Sequence, residues 1–168
     1  MEATTVPNTL TVLSSACTWL GWSLLIGWLG HRLPIGALDH DNCLTRPRPW
    51  GESLESYQRH LAIRQWKDLL PDAGDAFPGG VRKSNLVERA PRSLRLLQAE
   101  TRRAELVHLA LWPAWLLTWL WLPPEAVAVN LVFATLFNLP CLWLQRYNRL
   151  RLQQILDRDT KTLTSQRS

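Results

Sequence analysis

No lysine or arginine occurs before Arg32, and none lies between Arg103 and Arg146. Cysteine is scarce too, with three among 168 residues. Each shortage excludes something. Without a basic leading segment, the apolar run near the N-terminus reads as an uncleaved span rather than a cleaved secretory signal. Cys17, Cys43 and Cys141 form an odd set without metal-ligand spacing, so free thiols are expected rather than a disulfide framework. No nucleic-acid-binding motif is present, and the basic residues hug apolar runs. The net charge of +5 therefore suits anionic lipid headgroups or a polyanionic cytosolic ligand, with no nucleic acid expected.

The missing charge leaves room for long apolar runs that a mean hydropathy of −0.11 conceals. Residues 10–30, 106–122 and 126–144 are each long or nearly long enough to cross a bilayer core of about 30 Å at about 1.5 Å per residue. None of them carries the polar stripe of a soluble amphipathic helix. The expected fold is an all-α membrane protein, with about three transmembrane helices plus one or two interfacial amphipathic helices. The whole chain, 1–168, reads as a single membrane domain with an interfacial region over 31–105 and a tail over 145–168. Charge sets the topology: the N-terminus faces out, while the middle region and the C-terminus face the cytoplasm. The protein is accordingly expected in the cell membrane as a multi-pass protein. A buried helical hairpin in a soluble bundle is the alternative for the two later runs.

Between the first two runs, residues 52–71 read as one helix stopping before Pro71. Leu54, Tyr57, Leu61, Ala62, Trp66 and Leu69 recur at helical steps, with Arg59, Arg64 and Lys67 elsewhere around it. Such a helix suits the bilayer interface or an ordinary core-facing position. A loop follows over 72–85, and Pro91 suits the first turn of a helix that runs into the second apolar segment near Leu106. The tail after Asp157 reads as frayed.

Two polar clusters fall at the same boundary. In ETRRAELVH (100–108), helical spacing brings Thr101, Glu105 and His108 to one face, so Glu105 is expected to hold an imidazole nitrogen of His108, as a general base requires. In QRYNRLR (145–151), Gln145, Asn148 and Arg149 lie along one side of a helix, and Asn138 and Cys141 continue that side upstream. Arg146 and Arg149 suit phosphate or carboxylate through their guanidinium forks, or else they anchor the helix end. One Glu-x-x-His pair is only a fragment of a di-iron motif, so no metal is expected. Asn130 and Asn138 also fit helix–helix hydrogen bonding.

RQWKDLLP (64–71), ETRRAELVH (100–108) and NLPCLWLQRYNRLRL (138–152) together resemble the glycosyl-4,4'-diaponeurosporenoate acyltransferase family over roughly residues 15–155. Two departures stand out: Leu150 replaces a family proline, and Leu109 a common tryptophan. The resemblance implies a membrane acyltransferase that esterifies a fatty acyl group onto a hydroxyl of a glycosylated carotenoid or related glycolipid. It implies His108 as base oriented by Glu105, with Asn148 or Gln145 donating to the oxyanion. Arg146, Arg149, Lys67, Arg103 and Asn138 are the implied substrate-binding residues. No bound cofactor is expected; an acyl-CoA or acyl-carrier thioester is the expected donor. Expected partners are membrane lipids and the glycosylated acceptor. The competing reading is a non-catalytic small subunit, or a pigment- or lipid-binding component of a larger membrane complex.

Overall fold

The computed structural model describes residues 9–48, 51–70 and 91–165, and the expected loop over 72–85 lies outside them. Among the described residues every regular element is helical. There are five α-helices: α1 (Thr9–Arg32), α2 (Leu54–Leu61), α3 (Ile63–Trp66), α4 (Pro91–Leu111) and α5 (Pro124–Ser165). Short 3₁₀ turns cover Ile35–Leu38 and Lys67–Leu69, and a longer 3₁₀ stretch covers Trp112–Leu120.

Helices α4 and α5 pack as an antiparallel pair around the Trp121–Pro123 turn, with α1 laid against α4. At one end Leu94 and Leu97 pack on Leu152. Further along, Tyr57, Ile63 and Tyr147 bring α2 and α3 onto α5. Indole N–H groups pin α1 in place. Trp19 donates to Asn130 Oδ1 at 2.8 Å, and Trp22 donates to the Ala110 carbonyl at 2.9 Å. Asn130 thus takes the helix–helix role its position suggested.

α1, and the Pro124–Asp159 part of α5, are long and apolar enough to cross a membrane by length and composition. The run over 106–122 differs from the expected helix. It is α-helical only to Leu111 and then winds as 3₁₀. Pro113 supplies the reason, because it has no N–H to offer. The Ala110 carbonyl, which a 3₁₀ register would pair with residue 113, takes the Trp22 indole instead.

Two further expectations change. Residues 52–71 do not form one helix: Ala62 adopts φ 45°, in the left-handed region, and separates α2 from α3. The break turns Ile63 into the core, fully buried beside Tyr57 and Tyr147, while Trp66 Nε1 donates to the Leu61 carbonyl at 2.8 Å. The tail is not frayed at Asp157 either, since α5 runs on to Ser165. Leu150 permits this continuity, where a proline would remove an amide donor.

Candidate functional site

The polar cluster of α5 meets the connector after α1 in an alternating chain of charges. Arg102 Nε lies 2.6 Å from Asp41 Oδ1, which also accepts from Arg149 Nη1 at 2.9 Å. Arg149 Nη2 reaches Glu105 Oε2 at 3.3 Å, and Arg146 Nε reaches Glu105 Oε1 at 2.5 Å. Arg146 Nη1 then donates to Glu52 Oε1 at 3.0 Å, and Tyr57 Oη donates to the same oxygen at 2.6 Å. Three guanidinium groups face three carboxylates. Backbone carbonyls complete the set: Leu38 accepts from Arg102, Leu44 from Arg146 and Thr45 from Arg149. Glu105 and Arg149 are essentially sealed from solvent, at 0% and 1% exposure.

Burial pushes the Glu105 carboxyl above its usual range, against the pull of Arg149 and Arg146. Glu52 behaves oppositely. Burial works to raise it, but the Tyr57 hydroxyl, the Arg48 amide and Arg146 outweigh that and hold it below the usual carboxylate range. Burial and the Glu52 carboxylate push the Tyr57 hydroxyl up, so it remains a proton donor.

Beside this network runs a groove of about 630 Å³ between α2 and the α4–α5 pair. One end is polar, lined by Arg48, Glu52, Ser56, Tyr57, His60 and Arg146. The other is apolar, lined by Leu109, Trp112, Leu139, Leu142 and Trp143, with Thr135 accepting from the Trp112 indole at 3.1 Å. Connector and α2 residues therefore build half of the site. The sequence offered no clear signal for them, because Asp41 and Glu52 sit in a segment where acidic and basic residues are evenly mixed.

The residues expected to act together are brought together only in part. Glu105 does not hold His108, since its two oxygens go to Arg146 and Arg149. His108 Nδ1 instead lies 3.1 Å from Asn138 Oδ1. That amide is itself oriented by Asn138 Nδ2 donating to the Ala134 carbonyl at 2.9 Å. Neither His108 nor Asn138 lines the groove, although their chain neighbours Leu109 and Leu139 do. Asn148 is ten positions beyond Asn138, about 15 Å along α5, so it and His108 do not converge on one atom. Its buried Nδ2 has no partner among the described residues. Gln145 is half-buried close by. Lys67 pairs with Asp68 at 2.5 Å, away from the groove. Arg103 donates to the Gly30 and His31 carbonyls and so caps α1. Each of Arg146's three nitrogens already has an acceptor. No group of His, Cys, Asp and Glu among the described residues is arranged to hold a metal ion.

The described residues thus form a helical chain whose charge-locked connector borders a groove polar at one end and apolar at the other. Residues 41–158 match the glycosyl-4,4'-diaponeurosporenoate acyltransferase family, and the chain belongs to it. The match begins at Asp41 and takes in the whole charge network. Proteins named glycosyl-4,4'-diaponeurosporenoate acyltransferase from Staphylococcus aureus strains bovine RF122 / ET3-1 and USA300 are similar to the chain. Each is 26% identical over 140 residues, spanning 82% of this chain and 83% of the relative. The protein of that name from strain N315 is 25% identical over 147 residues, with the same coverage. No solved structure matches the chain.

Proposed function

We propose that the protein is a membrane acyltransferase that esterifies a hydroxyl of a glycosylated carotenoid or related glycolipid. Family membership supports the acyl transfer. The groove that is polar at one end and apolar at the other is the observation that carries its placement here. In the proposed reaction the sugar hydroxyl attacks the carbonyl of an acyl-CoA or acyl-carrier thioester. The C–O bond forms, the C–S bond breaks, and the hydroxyl proton passes through a base to the departing thiolate.

His108 is the proposed base. With Nδ1–H donating to Asn138, its Nε2 keeps a lone pair for the hydroxyl proton. Asn138 thus takes the orienting role first given to Glu105, and Glu105 becomes the anchor of Arg146 and Arg149. His108 does not line the groove, so the side chains of Leu109 and Leu139 must part for the acceptor hydroxyl to reach its Nε2. His60 is a second reading, favoured by one observation: it lines the groove, and its Nδ1 lies 3.1 Å from the Ser56 carbonyl. The membrane reading rests on α1, the segment 106–120 and residues 126–144 as three spans, N-terminus out.

Steady-state kinetics on purified enzyme, with an alkyl glucoside acceptor and acyl-CoA, separates the two imidazoles. His108→Ala should lower kcat at least 100-fold with little change in acceptor KM. His60→Ala should change KM by a few fold and leave kcat near wild type. If the two results are exchanged, His60 is the base. If both variants turn over normally, neither imidazole is.

A further inference from the structure

The arginines beneath the connector are spent on carboxylates, but two others at the same boundary are not. Arg102, Arg146 and Arg149 are held by Asp41, Glu52 and Glu105. Arg64 on α3 and Arg151 on α5 are exposed, and among the described residues no carboxylate pairs with either. The nearest acidic neighbour in sequence to Arg64, Asp68, is taken by Lys67.

Both free arginines converge on one tyrosine. Tyr147 is buried, at 2% exposure, and its hydroxyl ends against Gln58 of α2. In the amide orientation that satisfies its neighbours, Gln58 Oε1 accepts from Tyr147 Oη at 3.2 Å. The same oxygen accepts from Arg64 Nη2 at 3.1 Å and from Arg64 Nε at 3.3 Å. Arg64 is thus oriented by a neutral acceptor, and its charge stays uncompensated. Arg151 follows Tyr147 by four residues, one turn further along the same face of α5. Burial works to raise the Tyr147 hydroxyl, but hydrogen bonding from Arg64 and Gln58 and the charges of Arg64 and Arg151 outweigh it and lower it. The left-handed Ala62 helps to place Arg64, because it turns Ile63 inward against Tyr147 and the next side chain falls beside the hydroxyl. Alanine at positive φ is a strained state that its surroundings must hold.

Depth narrows the choice of ligand. Tyr147 and Arg151 lie three and seven residues beyond Leu144, where the apolar run ends, or about 4 and 10 Å along the helix. The headgroup layer outside the hydrocarbon core is about 5–8 Å thick. Leu69, 81% exposed just after α3, offers that layer an apolar side chain.

We propose that Arg64 and Arg151, set around Tyr147 and Gln58, form a binding site for a phosphate group at the membrane boundary. Two guanidinium forks without carboxylates match the charge and the paired oxygens of a phosphate. An anionic phospholipid presents such a group at this depth, and a soluble phosphate ester presents one from the cytosol. Neither arginine lines the groove, so the site is separate from it. It rests on the three-span reading for its depth and is independent of the acyl-transfer chemistry.

The test is native mass spectrometry of the full chain in dodecyl maltoside, with equal amounts of phosphatidylglycerol and phosphatidylcholine of matched chains. Phosphatidylglycerol adducts should exceed phosphatidylcholine adducts at least fivefold. Arg64→Gln with Arg151→Gln should abolish that preference, and both side chains are exposed, so their loss leaves the core intact. Arg92→Gln with Arg95→Gln, an exposed pair on α4, should keep it. Millimolar glycerol 3-phosphate separates the sources. If it leaves the lipid adducts in place, a headgroup occupies the site; if it binds in their stead and the Arg64/Arg151 double variant loses it, a soluble ester does. A wild-type chain that binds neither, or an equal loss in the two double variants, overturns the proposal. Carbonate extraction of membranes from expressing cells keeps the site apart from the span reading. A chain released by carbonate that still binds phosphate keeps the site and loses the spans; a retained chain that binds neither probe does the reverse.

Discussion

At the scale of single residues, the boundary cluster reads first as structure and then as chemistry. Glu105 was legible as important, because a carboxylate one turn from an apolar run needs a reason to be there. Its partner was not legible. Spacing along one helix favoured His108, two arginine contacts across helices won, and no local pattern in 100–108 encodes where α5 or the connector will lie. Both Glu105 oxygens neutralise arginines that are buried with it. Removing one member of such a set leaves uncompensated buried charge, which costs about 3–5 kcal/mol. Glu105→Ala is therefore expected to unfold far more easily than wild type in thermal melts followed by circular dichroism. His108→Ala should melt within about 1 kcal/mol of wild type, since one neutral hydrogen bond is at stake. A Glu105→Ala protein that melts normally but fails to turn over would instead return the carboxylate to the catalytic list.

At the scale of elements, the sequence announced which segments are helical better than how they bend. The uncharged run near the N-terminus and the apolar first half of α5 were readable from composition, while the course of α5 through Pro140 and past Asp157 was not. The left-handed Ala62 was not, because no glycine or asparagine marks it; tertiary burial of Ile63 imposes it. The 3₁₀ winding after Pro113 was half readable, since proline guarantees a lost donor but not the way the backbone repairs it. Packing of α1 on α4 turns on Gly30, where an added Cβ would overlap Val107 Cγ2. Val107 is β-branched and stiff, so it cannot rotate away cheaply. Gly30→Ala should destabilise by about 1–3 kcal/mol. Adding Val107→Ala in the same chain should recover most of that loss, a non-additivity expected only of residues in contact. If the two changes simply add in thermal melts, the helices do not meet at Gly30.

At the scale of the whole molecule, length and charge together decide how the chain meets a bilayer. As a plain α-helix, residues 106–120 would rise only about 22 Å, short of a core of about 30 Å. Six α-helical residues followed by nine in 3₁₀ form reach about 27 Å, because the tighter helix gains about 2 Å per residue. The winding forced by Pro113 thus lengthens the segment that composition alone left too short. The proposed third span follows from this stretch, and it fixes parity. With three crossings, the basic surfaces of α2, the start of α4 and the end of α5 all lie on one side, and the Trp121–Pro123 turn lies on the other. Substituted cysteines read this directly, in a background with Cys17, Cys43 and Cys141 replaced by serine. Intact cells treated with a membrane-impermeant maleimide should label a cysteine at Pro123. A cysteine at Arg59 or Arg158 should label at least tenfold less until the membrane is opened. A matching response at Arg59 and Pro123, with the opposite response at Arg158, would mean that 106–120 does not cross, and it would overturn the three-span reading.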